Sequence, residues 1–522
     1  MYVKIINVSK FLKVKTVSME KIAIIDVGSN SARLVIVDIL ENGFFQVEDQ
    51  LKETLRLAQD MEEDGFIQPA RIAQTVKTLK MFSRLCDANK IERVYAYATE
   101  AIRKAKNQRG FLDEIESCTG IKLKVLEYEE EAKLVYQGVI NSLDIPRGLI
   151  VDIGGGSTQF IYYNRKNLLQ YTTLPLGAVV ITDLFKNSGA TPLERSQAME
   201  KYVLQELEKL PWLNEIAPDT KLIGVGGSFR NIGKISRMLK KYPLSMAHNY
   251  QIPAQEFESI FNNIRTLELS STMKIKGLSS VRADIFPAAL SVVSAIMKKC
   301  NFDEIVISGC GLREGAMFKY AVPSTNEKPI NDVVGHSIYS LLNFFNANIE
   351  HAEHVYELSM QLYKQLKVLH KLPRQYVKVL RVASLLHDTG TRIKYYEHQF
   401  HSAYIILNSN LYGISHKDLV MSAFVASLHR KGEINMTELM KYKDMLSAED
   451  VDAIMKIGVI VRIAESLDRS MSGCVTTILC DVLGDSVIMK VEGDGDYSLE
   501  IKDSLTSVNE LKRAYKKNLQ IL

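Results

Sequence analysis

The stretch LIVDIGGGST, residues 149–158, sets the interpretation of the whole chain. An apolar run typical of a strand ends at Asp152. Three glycines and two hydroxyl residues follow: Gly154, Gly155, Gly156, Ser157 and Thr158. Glycines let the backbone turn sharply and bring its N–H groups close to a ligand, and a carboxylate suits Mg²⁺. The stretch therefore predicts a hairpin that wraps a phosphate chain, with a metal ion beside it.

The same pattern occurs earlier in the chain, in IAIIDVGSNS at residues 22–31. Asp26 aligns with Asp152, which makes both candidate Mg²⁺ ligands. The small residues that follow are the second set of candidate phosphate ligands: Gly28, Ser29, Asn30 and Ser31. Two copies predict two similar α/β subdomains that hold phosphates between their hairpins. This duplication resembles the actin, heat-shock-70 and sugar-kinase superfamily.

Composition narrows the class of protein. The 522 residues are enough for several domains, and 46% are apolar, as in ordinary globular proteins. A net charge of +4 gives no support for specific nucleic-acid binding, and the sequence has no apolar run long enough to span a membrane. The six scattered cysteines predict reduced thiols in a cytoplasmic protein. Residues 1–18 form an extension to which we assign no function.

Two charged features accompany the hairpins. Arg103 follows a predicted strand, at the start of a helix, and is a candidate phosphate ligand. The alternative is a surface arginine paired with a nearby acid. Three glutamates, Glu129 to Glu131, start another helix, where acids also favour the helix dipole. Because successive helical residues point in different directions, we expect one of them to be catalytic.

A third glycine turn, LIGVGGS at residues 222–228, adds the candidate phosphate ligands Gly226, Gly227 and Ser228. The helix that follows has a basic stripe at spacings of four, three and four residues: Arg230, Lys234, Arg237 and Lys241. This stripe predicts a rail that binds a polyanion. A solvated helix face is the alternative.

From about residue 330 the patterns are helical and rich in histidine. His354, the adjacent pair His387–Asp388 and Asp468 lie on separate predicted helices and are candidate ligands of a second divalent metal, with His398, His401 and His429 nearby. Buried hydrogen-bonding groups are the alternative. The tail has strand-like runs at 486–491 and 497–502 and a helical pattern at 508–517.

These motifs, with EEA at 130–132 and GLREG at 311–315, resemble the exopolyphosphatase and guanosine pentaphosphate phosphohydrolase family. The resemblance implies an α/β fold with duplicated actin-like (ribonuclease H-like) subdomains, followed by a mostly helical domain related to HD phosphohydrolases and a small α+β tail. The expected boundaries are 1–18 for the extension, 19–140 and 141–322 for the subdomains, 323–474 for the helical domain and 475–522 for the tail.

The resemblance also implies activity and partners. It identifies Glu131 as the catalytic base, with Glu130 as the fallback, and Asp152 as the metal- and phosphate-associated aspartate. We expect an Mg²⁺-dependent exopolyphosphatase, with guanosine pentaphosphate hydrolysis as the close alternative and a small-molecule kinase or a non-enzymatic sensor as weaker ones. A homodimer is expected, and a second metal (Mn, Fe or Zn) in the helical domain stays open.

Overall fold

Each glycine hairpin lies at the end of its own mixed sheet. The computed structural model describes residues 19–40, 43–58, 61, 65–186, 190–430 and 433–522. The extension at residues 1–18 lies outside the described residues.

The first sheet has the strand order β3-β2-β1-β4-β5. Its strands are β1 (Met19–Val27), β2 (Ser31–Leu40), β3 (Phe45–Thr54), β4 (Arg93–Ala98) and β5 (Leu123–Val125). Its helices are α1 (Pro69–Ala88), α2 (Glu100–Lys104), α3 (Gln108–Thr119) and α4 (Tyr128–Ile140). Strands β1 to β3 are antiparallel, and β4 and β5 continue the sheet parallel to β1.

The second sheet repeats this topology, with the strand order β10-β11-β9-β6-β7-β8. Its strands are β6 (Arg147–Ile153), β7 (Thr158–Asn164), β8 (Asn167–Leu174), β9 (Lys221–Val225), β10 (Tyr250–Pro253) and β11 (Glu304–Ile307). Its helices are α5 (Ala178–Leu184), α6 (Pro192–Leu207), α7 (Gly226–Leu239), α8 (Ala254–Ile264), α9 (Leu269–Thr272), α10 (Phe286–Cys300) and α11 (Leu312–Ala321). Strands β6 to β8 form an antiparallel meander, and β9 and β11 extend the sheet parallel to β6, which confirms the predicted duplication. The added edge strand β10 is antiparallel to β11.

Helices α4 and α11 each pack against the sheet of the other subdomain. Val135 and Val139 of α4 pack in the core beneath the second sheet, whereas Ala316 and Met317 of α11 pack beneath the first. The two helices cross in backbone contact, because a Cβ on Gly138 would lie 2.2 Å from the carbonyl oxygen of Gly311. This crossing fixes the first turns of both helices, which carry Glu131 and Glu314.

Gly315→Ala is expected to destabilise the protein by about 1–3 kcal/mol, as overpacking does. A Cβ at position 315 would lie 1.8 Å from the carbonyl oxygen of Leu134, so the two helices must separate. Chemical denaturation measures the change. The control is Gly110→Ala in α3, where no atom lies within 4 Å of an added Cβ. Equal stabilities for the two variants would contradict the close crossing.

The helical part follows from residue 333. Its helices are α12 (Val333–Phe344), α13 (Ile349–Gln365), α14 (Lys367–His370), α15 (Val377–Leu386), α16 (His398–Asn408), α17 (His416–Ser427), α18 (Met436–Met440) and α19 (Ala448–Ser466). Helices α13, α15, α17 and α19 pack around one apolar core. No helix among the described residues is both long and apolar enough to cross a bilayer.

The tail forms a small three-stranded sheet that joins the same core through Val475 and Val487. Its elements are β12 (Val475–Leu483), β13 (Ser486–Gly493), α20 (Ser498–Ser504), α21 (Val508–Tyr515) and β14 (Asn518–Ile521). The strand predicted over 497–502 is wrong, because this segment forms α20. The helix turns Glu500 and Ser504, four residues apart, into the interior, so the apolar alternation of the segment does not set its structure.

Candidate active site

The two hairpins have the same local geometry. In the first, the amide of Gly28 donates to the carbonyl of Ser31 at 3.0 Å, and in the second, the amide of Gly154 donates to Ser157 at 2.9 Å. The turns approach each other closely, since a Cβ on Gly155 would lie 3.3 Å from the Cβ of Ser29. The hairpins therefore face each other across a narrow cleft.

Most of the predicted site residues line this cleft. Those on the first sheet and its helices are Asp26, Gly28, Ser29, Asn30, Ser31 and Glu131. Those on the second are Asp152, Gly154, Gly155, Gly156, Ser157, Gly226, Gly227 and Arg230. The two hairpins and the first residues of α7 line one small volume, and glycine turns and helix starts of this kind suit an anion.

Glu131 is the member of the glutamate run that enters the cleft. Burial raises the pKa of its carboxyl group to about 7, against the opposing effect of Arg103, and Asp152 and Asp26 raise it further. Arg103 donates from Nη1 and Nη2 to Oε2 of Glu131, at 3.0 and 3.1 Å. A carboxyl group that titrates near neutral pH and is held by a fixed donor can accept a proton from water.

Glu130 has a different environment. Its carboxylate accepts from the amide of Glu127 at 3.2 Å, as part of the capping box of α4, and pairs with Lys124. These contacts lower its pKa, with the Lys124 hydrogen bond as the largest cause. The residue does not line the cleft described above. Of the two candidate glutamates, Glu131 is the one placed to act on a bound phosphate.

Asp26 and Asp152 lie at equivalent strand ends, opposite Arg33 and Gln159 in their hairpins. Burial raises the pKa of Asp152 to about 6, with Arg230 opposing and Asp26 adding to the rise. Burial also raises the pKa of Asp26, while Arg313 and Arg33 oppose it. Two half-buried carboxylates whose charged forms are disfavoured in this way form a natural position for a cation.

Four arginines reach the cleft: Arg33, Arg230, Arg282 and Arg313. Burial lowers the pKa of Arg33 to about 10, and the neighbouring Arg313 and Arg230 lower it further. The guanidinium of Arg282 packs on Gly227, where an added Cβ would lie 2.3 Å from its Cζ. Partly buried cations that repel one another favour a polyanionic ligand, because its charge offsets the repulsion.

Sequence reasoning missed several of these residues. Arg33 lies opposite Asp26 in the first hairpin and Arg313 belongs to the GLREG motif, so both had a signal. Arg282 ends a short 3₁₀ turn, Ser280–Arg282, that carries no motif. The carboxylate of Glu314 accepts a hydrogen bond from the amide of Gly311 at 2.8 Å, and Glu314 lines the cleft beside Arg313.

Three predicted phosphate ligands lie outside the cleft lining. Arg103 pairs with Glu100 at 2.7 Å as well as with Glu131, as in the acid-paired alternative, but its side chain is only 9% exposed and is not on the surface. The hydroxyl of Thr158 donates to the carbonyl of Leu176 at 2.7 Å, and Ser228 is buried on α7. All three positions differ from the prediction, and the polar groups of Arg103 and Thr158 bond within the protein itself.

The basic stripe on α7 is not continuous. Arg230 lines the cleft, but the guanidinium of Arg237 lies 5.3 Å over the ring of Tyr250. Helix α7 ends at Leu239, and Lys241 follows it with a φ of 52°, outside the helix. Lys234 is exposed. The spacing assumed one unbroken helix, so it placed Lys241 on a face that the helix does not reach.

In the helical part, the structure changes the predicted ligand set. His351, one turn before His354 on α13, joins His387 and Asp388, while Asp388 also approaches His398 and His429. Asp468 does not belong to either of these two groups. Its Oδ2 accepts a hydrogen bond from Nδ1 of His351 at 2.7 Å. Neither His354 nor His401 belongs to these ligand groups among the described residues.

Comparisons with known proteins find relatives that cover most of the chain. The family model described as the Ppx/GppA phosphatase family matches residues 35–322, and the model of its domain III matches residues 333–514. Guanosine-5'-triphosphate,3'-diphosphate pyrophosphatase of Aliivibrio fischeri (strain MJ11) is 28% identical over 437 residues, which cover 82% of this chain and 81% of that protein. The Aeromonas hydrophila protein of the same name is 25% identical over 395 residues, covering 75% and 77%.

Two solved structures also resemble this chain. The crystal structure of the Aquifex aeolicus member of the Ppx/GppA family matches with a TM-score of 0.52 and 26% identity, covering 60% of this chain and 100% of that one. An exopolyphosphatase from Cytophaga hutchinsonii matches with a TM-score of 0.54 and 24% identity, covering 58% and 98%. The second likeness bears on the fold, and it supports the actin-like duplication.

Proposed function

The chain belongs to the Ppx/GppA phosphatase family and is a hydrolase of phosphoric anhydrides, and we propose that its substrate is inorganic polyphosphate. In this proposal it is an exopolyphosphatase that releases the terminal orthophosphate in the presence of Mg²⁺. A homodimer and a cytoplasmic location belong to the same proposal, on the strength of the family resemblance.

One observation carries the choice of polyphosphate. The described residues that line the cleft include four arginines and many glycine or hydroxyl positions, but no aromatic side chain. A nucleotide base is commonly bound by stacking on an aromatic ring, whereas a polyphosphate needs only cations and N–H donors. The lining therefore favours a ligand that is phosphate throughout.

The side chains support a direct attack by water. The terminal phosphoryl group would lie between the hairpins, whose amides, with the arginines, stabilise the charge on its equatorial oxygens. Glu131 would accept a proton from the attacking water, while Arg103 holds the carboxylate in position. The leaving group is the shortened chain, and no protein nucleophile is required.

Asp26 and Asp152 fit the expected Mg²⁺. Both are half-buried carboxylates whose pKa values are raised by burial, and Asp26 adds to the rise at Asp152, so a divalent cation would stabilise their charged forms. Carboxylate oxygens are the ligands that this hard cation prefers. When bound, Mg²⁺ would neutralise charge on the phosphate oxygens.

The activity is expected to depend on pH through Glu131. Its pKa is raised to about 7, so the carboxyl group is protonated on the acid side and cannot act as a base. We expect kcat/KM for polyphosphate to fall as the pH decreases through about 7. Because Arg103 opposes this rise, Arg103→Met should move the acid limb to higher pH.

The matched control is Lys124→Met, which removes the partner of Glu130 and should leave the profile in place. If kcat/KM of Arg103→Met falls at the same pH as that of the wild type, another group controls the pH dependence.

Guanosine pentaphosphate is the second candidate, because the Aliivibrio and Aeromonas relatives carry the name of that activity. The test is orthophosphate release from long-chain polyphosphate, tripolyphosphate and guanosine pentaphosphate, compared as kcat/KM. The proposal expects the highest value for the long chain. A higher value for guanosine pentaphosphate would reassign the substrate and leave the hydrolytic site unchanged.

Two further measurements, of nucleotide products and of polyphosphate binding, separate the remaining classes of function. A small-molecule kinase would form ADP from ATP and an acceptor, and a sensor would bind polyphosphate without releasing orthophosphate. Either result would overturn the hydrolase proposal for polyphosphate.

A further inference from the structure

Four buried imidazoles and one carboxylate meet in the helical part, away from the cleft. His351 lies on α13, His387 follows α15, His398 starts α16 and His429 follows α17. All four are at most 3% exposed. With Asp388 they form two groups, His351–His387–Asp388 and Asp388–His398–His429, in which the candidate ligand atoms all lie within 4.8 Å of one another.

The hydrogen bonds at Nδ1 fix the tautomer of each ring. The Nδ1 atoms of His387, His398 and His429 each lie 2.7 Å from the carbonyl oxygen three residues earlier, on Ser384, Tyr395 and Ala426. The Nδ1 of His351 lies 2.7 Å from Oδ2 of Asp468. These oxygens can only accept, so each Nδ1 donates its proton and each neutral ring presents a bare lone pair at Nε2.

The Nε2 atoms lack suitable partners in the described part of the chain. Those of His351 and His387 have no hydrogen-bond partner although they are buried. Those of His398 and His429 lie 2.9 Å apart, and two lone pairs cannot bond to each other. Oδ1 of Asp388, at 2.9 Å from His398 and 3.6 Å from His429, is another acceptor.

A buried cluster of acceptors without donors is costly, and a proton would satisfy only one pair of them. A metal ion accepts several lone pairs at once. Ligating histidines typically hold their other ring N–H on a carbonyl or carboxylate, which is the arrangement of all four rings here.

We propose that this cluster binds divalent first-row transition-metal ions in two adjacent positions that share Asp388. His351 and His387 complete the first position, and His398 and His429 complete the second. An imidazole-rich set with one carboxylate suits Mn, Fe, Co, Ni or Zn in preference to Mg. Asp468 and the three backbone carbonyls orient the rings.

The test is the metal content of the full-length protein. After treatment with a chelator, the protein is dialysed against Mn²⁺, Co²⁺ or Zn²⁺ and then against metal-free buffer, and bound metal is measured by elemental analysis. We expect about two ions per chain for the wild type, about one each for His351→Gln and His398→Gln, and a loss of both for Asp388→Asn. Bound Co²⁺ should add a visible absorption band.

His370→Gln is the matched control. This imidazole is equally buried, but its Nε2 lies 2.7 Å from the carbonyl of Tyr363 and its Nδ1 accepts from the amide of Leu372 at 2.9 Å. The control should keep both ions. Glu131→Gln should also keep them, because the cleft is a separate site, so this result does not depend on the proposed phosphatase mechanism.

A measurement on the unmutated protein guards against variants that fail to fold. The chelator should lower the Tm of the wild type, and returning the metal should restore it. A wild type that retains no transition metal would overturn the proposal, as would metal that survives Asp388→Asn. A single ion lost in both histidine variants would overturn the two-position arrangement.

Discussion

Glu131→Gln is expected to lower the turnover of polyphosphate by about 10²–10⁴-fold, the usual contribution of a general base. The amide keeps the size of the side chain and its contact with Arg103 but cannot accept a proton from water. Substrate binding should stay close to that of the wild type, because the hairpins and arginines that hold phosphate are unchanged. Steady-state phosphate release, with binding measured separately, gives both quantities.

Glu130→Gln is the matched control for this prediction. It lies next to Glu131 on α4 but pairs with Lys124 outside the cleft lining, so it should retain near-normal turnover. Normal phosphate release by Glu131→Gln, with loss of turnover in Glu130→Gln, would exchange the two roles. Normal release by both variants would remove the glutamate run from the mechanism.

Asp152→Ala is expected to raise the Mg²⁺ concentration required for half-maximal activity or to remove activity altogether. The substitution deletes one of the two half-buried carboxylates that would hold the cation, and it leaves Asp26 without its counterpart. An Mg²⁺ titration of phosphate release measures the effect. Asp113→Ala on α3, an exposed aspartate far from the hairpins in sequence, should titrate like the wild type. An unchanged titration for Asp152→Ala would make this residue structural.

The hairpins were predictable because their chemistry is local. A strand that ends in aspartate and continues into glycine and small hydroxyl residues specifies its own turn, and Gly28 and Gly154 close their turns with equivalent bonds. The first turn of α4 was predictable for the same reason. Which glutamate enters the cleft depends on how α4 packs against α11, and the packing settles what the pattern left open.

Other parts of the site depend on tertiary contacts that the sequence does not encode locally. His351 and His354 lie one turn apart on α13, and only the packing of α15 and α16 decides which of them joins Asp388. Arg282 reaches the cleft from a turn without a motif. The prediction for Lys241 was wrong for the opposite reason. The spacing of the basic residues extends the helix to this position, whereas α7 ends at Leu239.

In the proposed mechanism, the terminal phosphoryl group lies between the two hairpins and is attacked there by water. A single turnover of long-chain polyphosphate in ¹⁸O-labelled water, stopped after the first orthophosphate is released, tests it most directly, with the label located by mass spectrometry in that orthophosphate and in the remaining chain. We expect one ¹⁸O atom in this first orthophosphate and none at the new chain end, because water attacks the terminal phosphorus. Unlabelled orthophosphate with ¹⁸O at the chain end would place the attack on the next phosphorus and contradict the account.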